Sequence, residues 1–207
     1  MPENLHKLFV ISSPSGGGKT SLINKLFEDS RSANFEKSIS DTSRQKRQGD
    51  LEGKDYYFLS EKDFKDKIKK EEYVEYATVF GNFYGTSKEE IKTKYNNSNL
   101  ILELDWQGAY AVKELFDDAK LIFLVPPSLD DLKQRLIKRN LDSFEAIENR
   151  LSEAKKEISK CEIYDYLVLN DDFDKAFEDL SQILFEGISP IDFNSRASKD
   201  LIKRLVE

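Results

Sequence analysis

The chain has one cysteine, Cys161, and one histidine, His6, in 207 residues. A lone thiol closes no intramolecular disulfide, which removes disulfide-stapled folds and points to a reducing compartment. His6 lies close to the chain start and reads as a surface residue, so no acid-base pair is in prospect. Cys161 then reads as a small buried hydrophobe rather than a nucleophile. The opening Met1-Pro2-Glu3-Asn4 leads into no apolar stretch of the length that a signal peptide or membrane span needs. The expected location is the cytoplasm, with no membrane partner. Positive charge is also in deficit: 32 Lys and Arg against 39 Asp and Glu give a formal charge of -7. That argues against a general basic surface for nucleic acid. It leaves room for a local anion site, because a lysine about 4 Å from a phosphate oxygen contributes about 4 kcal/mol at an effective dielectric near 20, while charges beyond roughly 8 Å are largely screened.

What is present is enough apolar material for one core: 39% of the residues are hydrophobic beside 34% charged, which excludes wholesale disorder and suits a single folding unit. Continuous apolar runs at Leu8 to Ile11, Leu100 to Leu104, Leu121 to Val125 and Tyr166 to Leu169 predict strands covered on both faces. Amphipathic segments follow them at Thr20 to Glu28, at Gln107 to Phe116 and, after Pro126-Pro127, as a helical pair over Ser128 to Lys160. The fold class is therefore α/β, a parallel sheet flanked by helices over about residues 1–37, 96–127 and 161–186.

Two excursions interrupt that alternation. The first, about 38–95, is polar and punctuated by Gly49, Gly53, Gly81 and Gly85. Its runs Tyr56-Tyr57-Phe58-Leu59 and Tyr73 to Val79 predict antiparallel strands of a small inserted α+β subdomain. Ser60 with Asp63, and Ser87 with Glu90, stand at capping-box spacing ahead of short helices. The second excursion, about 128–160, predicts a helical hairpin over the sheet edge. There Asp142 with Glu145 caps a helix carrying Phe144, Ile147, Leu151, Ala154 and Ile158 on one face. The tail, 187–207, is expected to hold a loosely docked short helix around Leu201 to Leu205.

The run SSPSGGGKTS, Ser12 to Ser21, leaves the first strand and enters the first helix. A surface turn needs one or two glycines; Gly16-Gly17-Gly18 before Lys19-Thr20 instead suit a nest of backbone N–H groups at the positive end of a helix dipole, which fits phosphate. In the Walker A pattern Lys19 reaches the β and γ phosphates and the Thr20 hydroxyl ligates Mg²⁺. Ser13 stands where that pattern has its leading glycine. A phosphate loop alone leaves GTPases, ATPases and kinases open. The first excursion decides between them: Arg44 and Arg47, three residues apart, with Tyr56 form a set able to hold a second phosphate through paired guanidinium hydrogen bonds and a phenol.

At these residues the chain resembles the guanylate kinase family, the nucleoside-monophosphate kinases that move the γ-phosphoryl of ATP to GMP, and the likeness runs from about Leu8 to Leu184. PSGGGKT matches the family's phosphate loop. SISDTSRQKRQGD with GKDYYF, YVEYA with GNFYGTS, and LELDWQG resemble its acceptor-site blocks, RLIKRN with LDSFEAIENRL its lid, and VLNDDFDKA its loop near adenine. The resemblance implies that Arg44, Arg47, Tyr56 and Tyr84 bind the GMP phosphate, while Ser40, Glu75, Thr86 and Asp105 meet the guanine. Guanine offers donors at N1 and N2 that two carboxylates accept, whereas adenine presents an acceptor at N1, which makes Glu75 a specificity residue.

ATP is implied along Ser13, Pro14, Ser15, Gly16, Gly17, Gly18, Lys19, Thr20 and Ser21, with Asn170 and Asp171 closing the adenine side. A turn capping the next helix explains those last two equally well. Arg135 and Arg139, four apart, share a helix face in a stretch, Lys133 to Arg139, that holds no acid. By the resemblance Arg135, Arg139 and Arg150 line the transferring phosphoryl, the first two also touching ATP and Arg150 also GMP. With Lys19 and Arg44 they make up the catalytic cations. Glu103 stands where the family usually has aspartate and is expected to hold Mg²⁺ through water, and Asn140 replaces a common glycine. Trp106 reads as packing.

The expected activity is Mg²⁺-assisted, in-line transfer from ATP to GMP, and to dGMP with it, by a monomer or homodimer. One rival is a non-catalytic guanylate-kinase-like interaction module, against which the intact Lys19, Thr20 and lid arginines argue. Another is a P-loop GTPase switch, for which no NKxD-type motif is apparent.

Overall fold

Leu8–Ser12 (β1) is buried at every position, the burial that a strand covered on both faces requires. The computed structural model describes residues 6–47, 49–79, 81–138, 144–193 and 195–207. After β1 come helix Lys19–Glu28 (α1) and the short strands Phe35–Lys37 (β2), Asp41–Thr42 (β3) and Tyr57–Phe58 (β4). Helix Glu61–Lys69 (α2), strands Tyr73–Val79 (β5) and Asn82–Ser87 (β6), and helix Lys88–Tyr95 (α3) follow. Then strand Asn99–Glu103 (β7), helix Trp106–Leu115 (α4) and strand Lys120–Val125 (β8) precede the helices Leu129–Lys138 (α5) and Phe144–Ile158 (α6). Strand Tyr166–Leu169 (β9) and helices Phe173–Ser181 (α7) and Arg196–Val206 (α8) complete the order.

Five strands form one sheet in the order β2-β7-β1-β8-β9, every pairing parallel. Alternation along the strands divides the core in two. Phe9, Ile11, Ile101, Ile122, Leu124 and Val168 pack with Leu22, Ile23 and Leu26 of α1 and with Ala176 and Leu180 of α7. Leu8, Val10, Leu100, Leu102, Leu121, Phe123 and Leu167 face the other way, against Ile91, Ala109, Val112, Ile158 and Leu205. Each fully buried Leu or Ile of α1 contributes on the order of 2 kcal/mol of apolar transfer, which fixes the helix that follows the glycine loop. Parallel strands put all their carboxyl ends on one edge, so Ser12, Glu103, Val125 and Leu169 open toward the same side.

The second sheet runs β4-β3-β6-β5. The β5 and β6 strands form an antiparallel hairpin in which Val79 lies opposite Asn82. The expectation of antiparallel pairing fails for the Tyr57–Phe58 segment, because β4 pairs parallel with β3, Asp41 beside Tyr57. A turn that folded the chain straight back would have made it antiparallel; here residues 43–56 intervene and return the strand in the same direction. At both expected capping positions the serine caps its helix: Ser60 Oγ accepts from Asp63 N–H and Ser87 Oγ from Glu90 N–H, each at 3.1 Å, while the Glu90 carboxylate turns to Ile39 N–H and Lys94 instead of closing the box. Asp142 lies outside the described residues.

Two further features depart from the expectation. The edge strand β2 was not foreseen; it has only three residues with mixed exposure. The tail is also better docked than expected, since Leu205 is buried in the core and Lys155 Nζ of α6 donates to Glu207 O at 2.9 Å. Trp106 packs half-buried against the core and Cys161 is buried, whereas His6 is only half-exposed. Among the described residues no helix is long and apolar enough to cross a membrane.

Candidate functional site

The turn from β1 to α1 is held by Gly17 N–H donating to Pro14 O at 2.8 Å. Gly16 and Gly18 sit at φ 88 and 92, where L-residues with a Cβ are strained. A Cβ on Gly17 would lie 2.9 Å from Pro14 O. Gly18 is the N-cap of α1 and offers no side-chain cap, so the first N–H groups of that helix are left for a ligand. Lys19 Nζ donates to Leu104 O at 3.2 Å. Burial lowers its pKa, opposed by the nearby carboxylates of Glu103, Glu157 and Asp105.

Thr20 Oγ1 donates to Glu103 Oε1 at 2.6 Å, and Lys37 Nζ reaches Glu103 Oε2 at 2.7 Å. Burial works to raise the Glu103 pKa, but Lys19, Lys37 and these hydrogen bonds outweigh it and hold the group below its ordinary range. An ionised carboxylate and a hydroxyl within hydrogen-bond reach, both at the mouth of the loop, are the oxygen donors that Mg²⁺ favours.

The helices α5 and α6 close one side. Leu132 and Leu136 of α5 rest on Gly16, Arg150 Nη1 of α6 donates to Ser15 Oγ at 3.0 Å, and Arg135 Nη2 donates to Asn170 O at 2.7 Å. Asn170 is buried, and its Nδ2 donates to Gly17 O at 2.6 Å. Ser13 and Pro14 are buried beneath the loop, while Ser15 and Ser21 are exposed. The residue that caps α7 is Asp172, accepting from Lys175 N–H at 2.9 Å; Asp171 Oδ1 accepts from Asp172 N–H. Arg139 and Asn140 lie outside the described residues.

On the other side, the second sheet, its loops and the start of α4 carry the remaining candidates. Glu75 of β5 lies opposite Thr86 of β6, and Ser40 Oγ is 3.3 Å from Thr86 Oγ1. Burial raises the Glu75 pKa and Asp105 adds to this, while hydrogen bonds from Thr86 oppose it. Asp105 caps α4, accepting from Gly108 N–H at 2.9 Å. Glu75, Asp105, Gln107 and Gly108 line a cavity of about 250 Å³ with Tyr73, Val74, Tyr76 and Ala77. The rings of Tyr56 and Tyr84 meet edge-on at 5.7 Å, and the Arg44 guanidinium lies 5.5 Å from the Tyr56 ring centre. Arg44 Nη2 pairs with Asp50 Oδ2 at 2.8 Å, and the same oxygen accepts from Arg47 N–H at 2.8 Å. Arg47 itself is exposed.

Three participants escaped the sequence. Lys37 sits on the unforeseen β2 and meets Glu103 only through strand pairing across the sheet. Asp50 was visible beside the arginines, but its partner depends on how the loop folds. Glu157, in the last turn of α6, feels both Lys19 and Asp105, a proximity that no spacing along the chain encodes.

Residues 5–187 match the sequence model of the family "Guanylate kinase". A guanylate kinase of Wolbachia sp. subsp. Brugia malayi (strain TRS) is 46% identical over 184 residues, covering 88% of this chain and 93% of the relative. One of Hahella chejuensis (strain KCTC 2396) is 48% identical over 178 residues, covering 86% and 85%. Among solved structures, the guanylate kinase from Anaplasma phagocytophilum is similar with a TM-score of 0.69 at 32% identity, covering 99% of this chain and 98% of that one.

Proposed function

The chain belongs to the guanylate kinase family, and from that premise we propose that it transfers the γ-phosphoryl group of ATP to GMP, and to dGMP, in the cytoplasm. The observation that carries this reading is the convergence of Glu75 and Asp105 on one cavity, lined also by Ala77, which lies opposite Tyr84 of the arginine and tyrosine cradle. Two carboxyl groups accept from N1 and N2 of guanine. Adenine would leave one of them facing an acceptor, a mismatch that discriminates by roughly 10⁴-fold or more. Ser40 and Thr86 complete the base side. Arg44, Arg47, Tyr56 and Tyr84 take the GMP phosphate, and Arg44 is held in place by Asp50.

The donor polyphosphate is assigned to Ser13 through Ser21, with Asn170 and Asp171 on its far side. Thr20 and Glu103 suit Mg²⁺, Thr20 directly and Glu103 through water. That ion, when bound, neutralises phosphate charge. The acceptor oxygen belongs to a phosphate with a second pKa of about 6 and needs no protein base near neutral pH. The barrier is repulsion between two polyanions, so positioning and neutralisation supply the rate. Lys19, Arg44, Arg135 and Arg150, with Arg139 beyond the described residues, carry that charge. Arg135 and Arg150 are already tethered to Asn170 and Ser15, which limits the ordering cost when substrate arrives. Closure of both excursions on the two nucleotides keeps water from the γ-phosphoryl; scattering that detects no compaction with both ligands bound rejects this step.

ADP formation from ATP, measured with GMP, dGMP, AMP or UMP as acceptor, tests the function. Turnover is expected with GMP and dGMP. Turnover that is unchanged in Lys19→Ala, or equal for AMP and GMP, contradicts the assignment.

A further inference from the structure

Asn170 stands just past β9, where its N–H donates to Val125 O at 2.8 Å and so fixes its backbone to the central sheet. Its side chain turns back to the glycine loop, Nδ2 donating to Gly17 O at 2.6 Å in a buried setting. A carbonyl oxygen only accepts, so the amide must present its NH₂ group here. We propose that Asn170 is a positioning residue that orients the Gly17–Gly18 peptide, and through it the donor's polyphosphate rather than its base. The inference rests on the donor role proposed for the loop.

The physical reason lies in that one peptide plane. In a trans peptide the C=O and N–H point in opposite directions, and the described residues contain no cis peptide bond. Holding the Gly17 carbonyl against the protein therefore aims the Gly18 N–H away from it, outward from the loop's buried side. Gly17 and Gly18 lack a Cβ, so rotation of this peptide meets little steric resistance of its own. A donor on the carbonyl supplies the missing restraint. The packing is matched to it: a Cβ at Gly18 would come within 2.4 Å of Asn170 Nδ2. Position 18 is thus committed to glycine both by its φ of 92 and by the amide that presses on it. The contact to Arg135 uses the Asn170 backbone oxygen, so side-chain replacement at 170 removes the restraint on the loop while leaving the lid's tether.

Asn170→Leu, close in size and uncharged, tests this, with Asn170→Ala as the second variant should the leucine disturb folding. Calorimetric binding of ATP and of inorganic tripolyphosphate is compared with KM for GMP. Both triphosphate ligands are expected to weaken by the same factor, about ten-fold, while KM for GMP changes less than two-fold. A loss confined to ATP, with tripolyphosphate bound as tightly as before, overturns the inference in favour of a base contact. A parallel rise in KM for GMP overturns it in favour of general damage. If the unsubstituted protein bound neither ligand, the donor-site reading itself would fall, and this inference with it.

Discussion

Thr20 of α1 and Glu103 of β7 meet across 2.6 Å, hydroxyl to carboxylate, although 83 residues separate them. The parallel pairing of β1 with β7, Ile11 beside Glu103, brings them together. Thr20→Val removes the hydroxyl with little change in volume. It is expected to raise the Mg²⁺ concentration for half-maximal rate and to lower kcat on the order of 10²-fold. Glu103→Gln is expected to do less, because the role proposed for Glu103 runs through water. Mg²⁺ titrations of initial rate decide; equal metal dependence in Thr20→Val and the unsubstituted chain rejects the pairing as a metal site.

Glu75 is the residue on which base choice should turn. Glu75→Gln replaces an acceptor by an amide that can present NH₂ to guanine N1. It is expected to lower kcat/KM for GMP by about 10²-fold or more while leaving KM for ATP within two-fold. The ratio of GMP to AMP turnover should narrow. An unchanged ratio would remove Glu75 from the recognition set.

Gly108 fixes where that carboxyl group can be. A Cβ there would stand 3.2 Å from Glu75 Cγ and 3.0 Å from Leu104 Cβ, both tighter than ordinary packing. Gly108→Ala is expected to raise KM for GMP about ten-fold with a smaller change in kcat. Combining it with Glu75→Gln should cost less than the two losses added. Full additivity in that cycle speaks against a link between the two positions.

Glu157 gives a pH signature. Burial raises its carboxyl to about 7; Lys19 opposes this, and Asp105 and Glu153 reinforce it. Between the ordinary carboxylate range and about 7 the folded chain keeps a proton that the unfolded chain has lost. Stability therefore falls as pH rises through that window, and the penalty is complete above it. Glu157→Gln removes the penalty. Its unfolding free energy should match that of the unsubstituted protein near pH 4 and exceed it at pH 8, by on the order of 2 kcal/mol after solvent screening. A difference independent of pH would contradict this.

The central sheet was legible because both of its faces are covered: four of its strands are unbroken apolar runs, and glycine, lysine and threonine mark the turn after the first. The fifth, β2, escaped because three residues of mixed exposure carry no period. Capping serines announced α2 and α3 through a local rule, and they formed as expected. Contacts made between elements stayed hidden. The grip of Asn170 on Gly17, Lys37 on Glu103 and Asp50 on Arg44 each join segments or loop positions whose approach depends on the folded chain. An asparagine ahead of a helix looks like a cap from its neighbours alone, yet Asp172 takes that role here.

Leu132 and Leu136 fill the space that any side chain at position 16 would need, with Leu136 Cδ2 only 3.0 Å from where its first carbon would stand. A side chain at position 16 would therefore meet two obstacles at once, the backbone angle of φ 88 and the two leucines of the helix above. Trimming the helix would relieve only the second of these, so a foreign cover grafted onto this scaffold must still leave glycine at that turn.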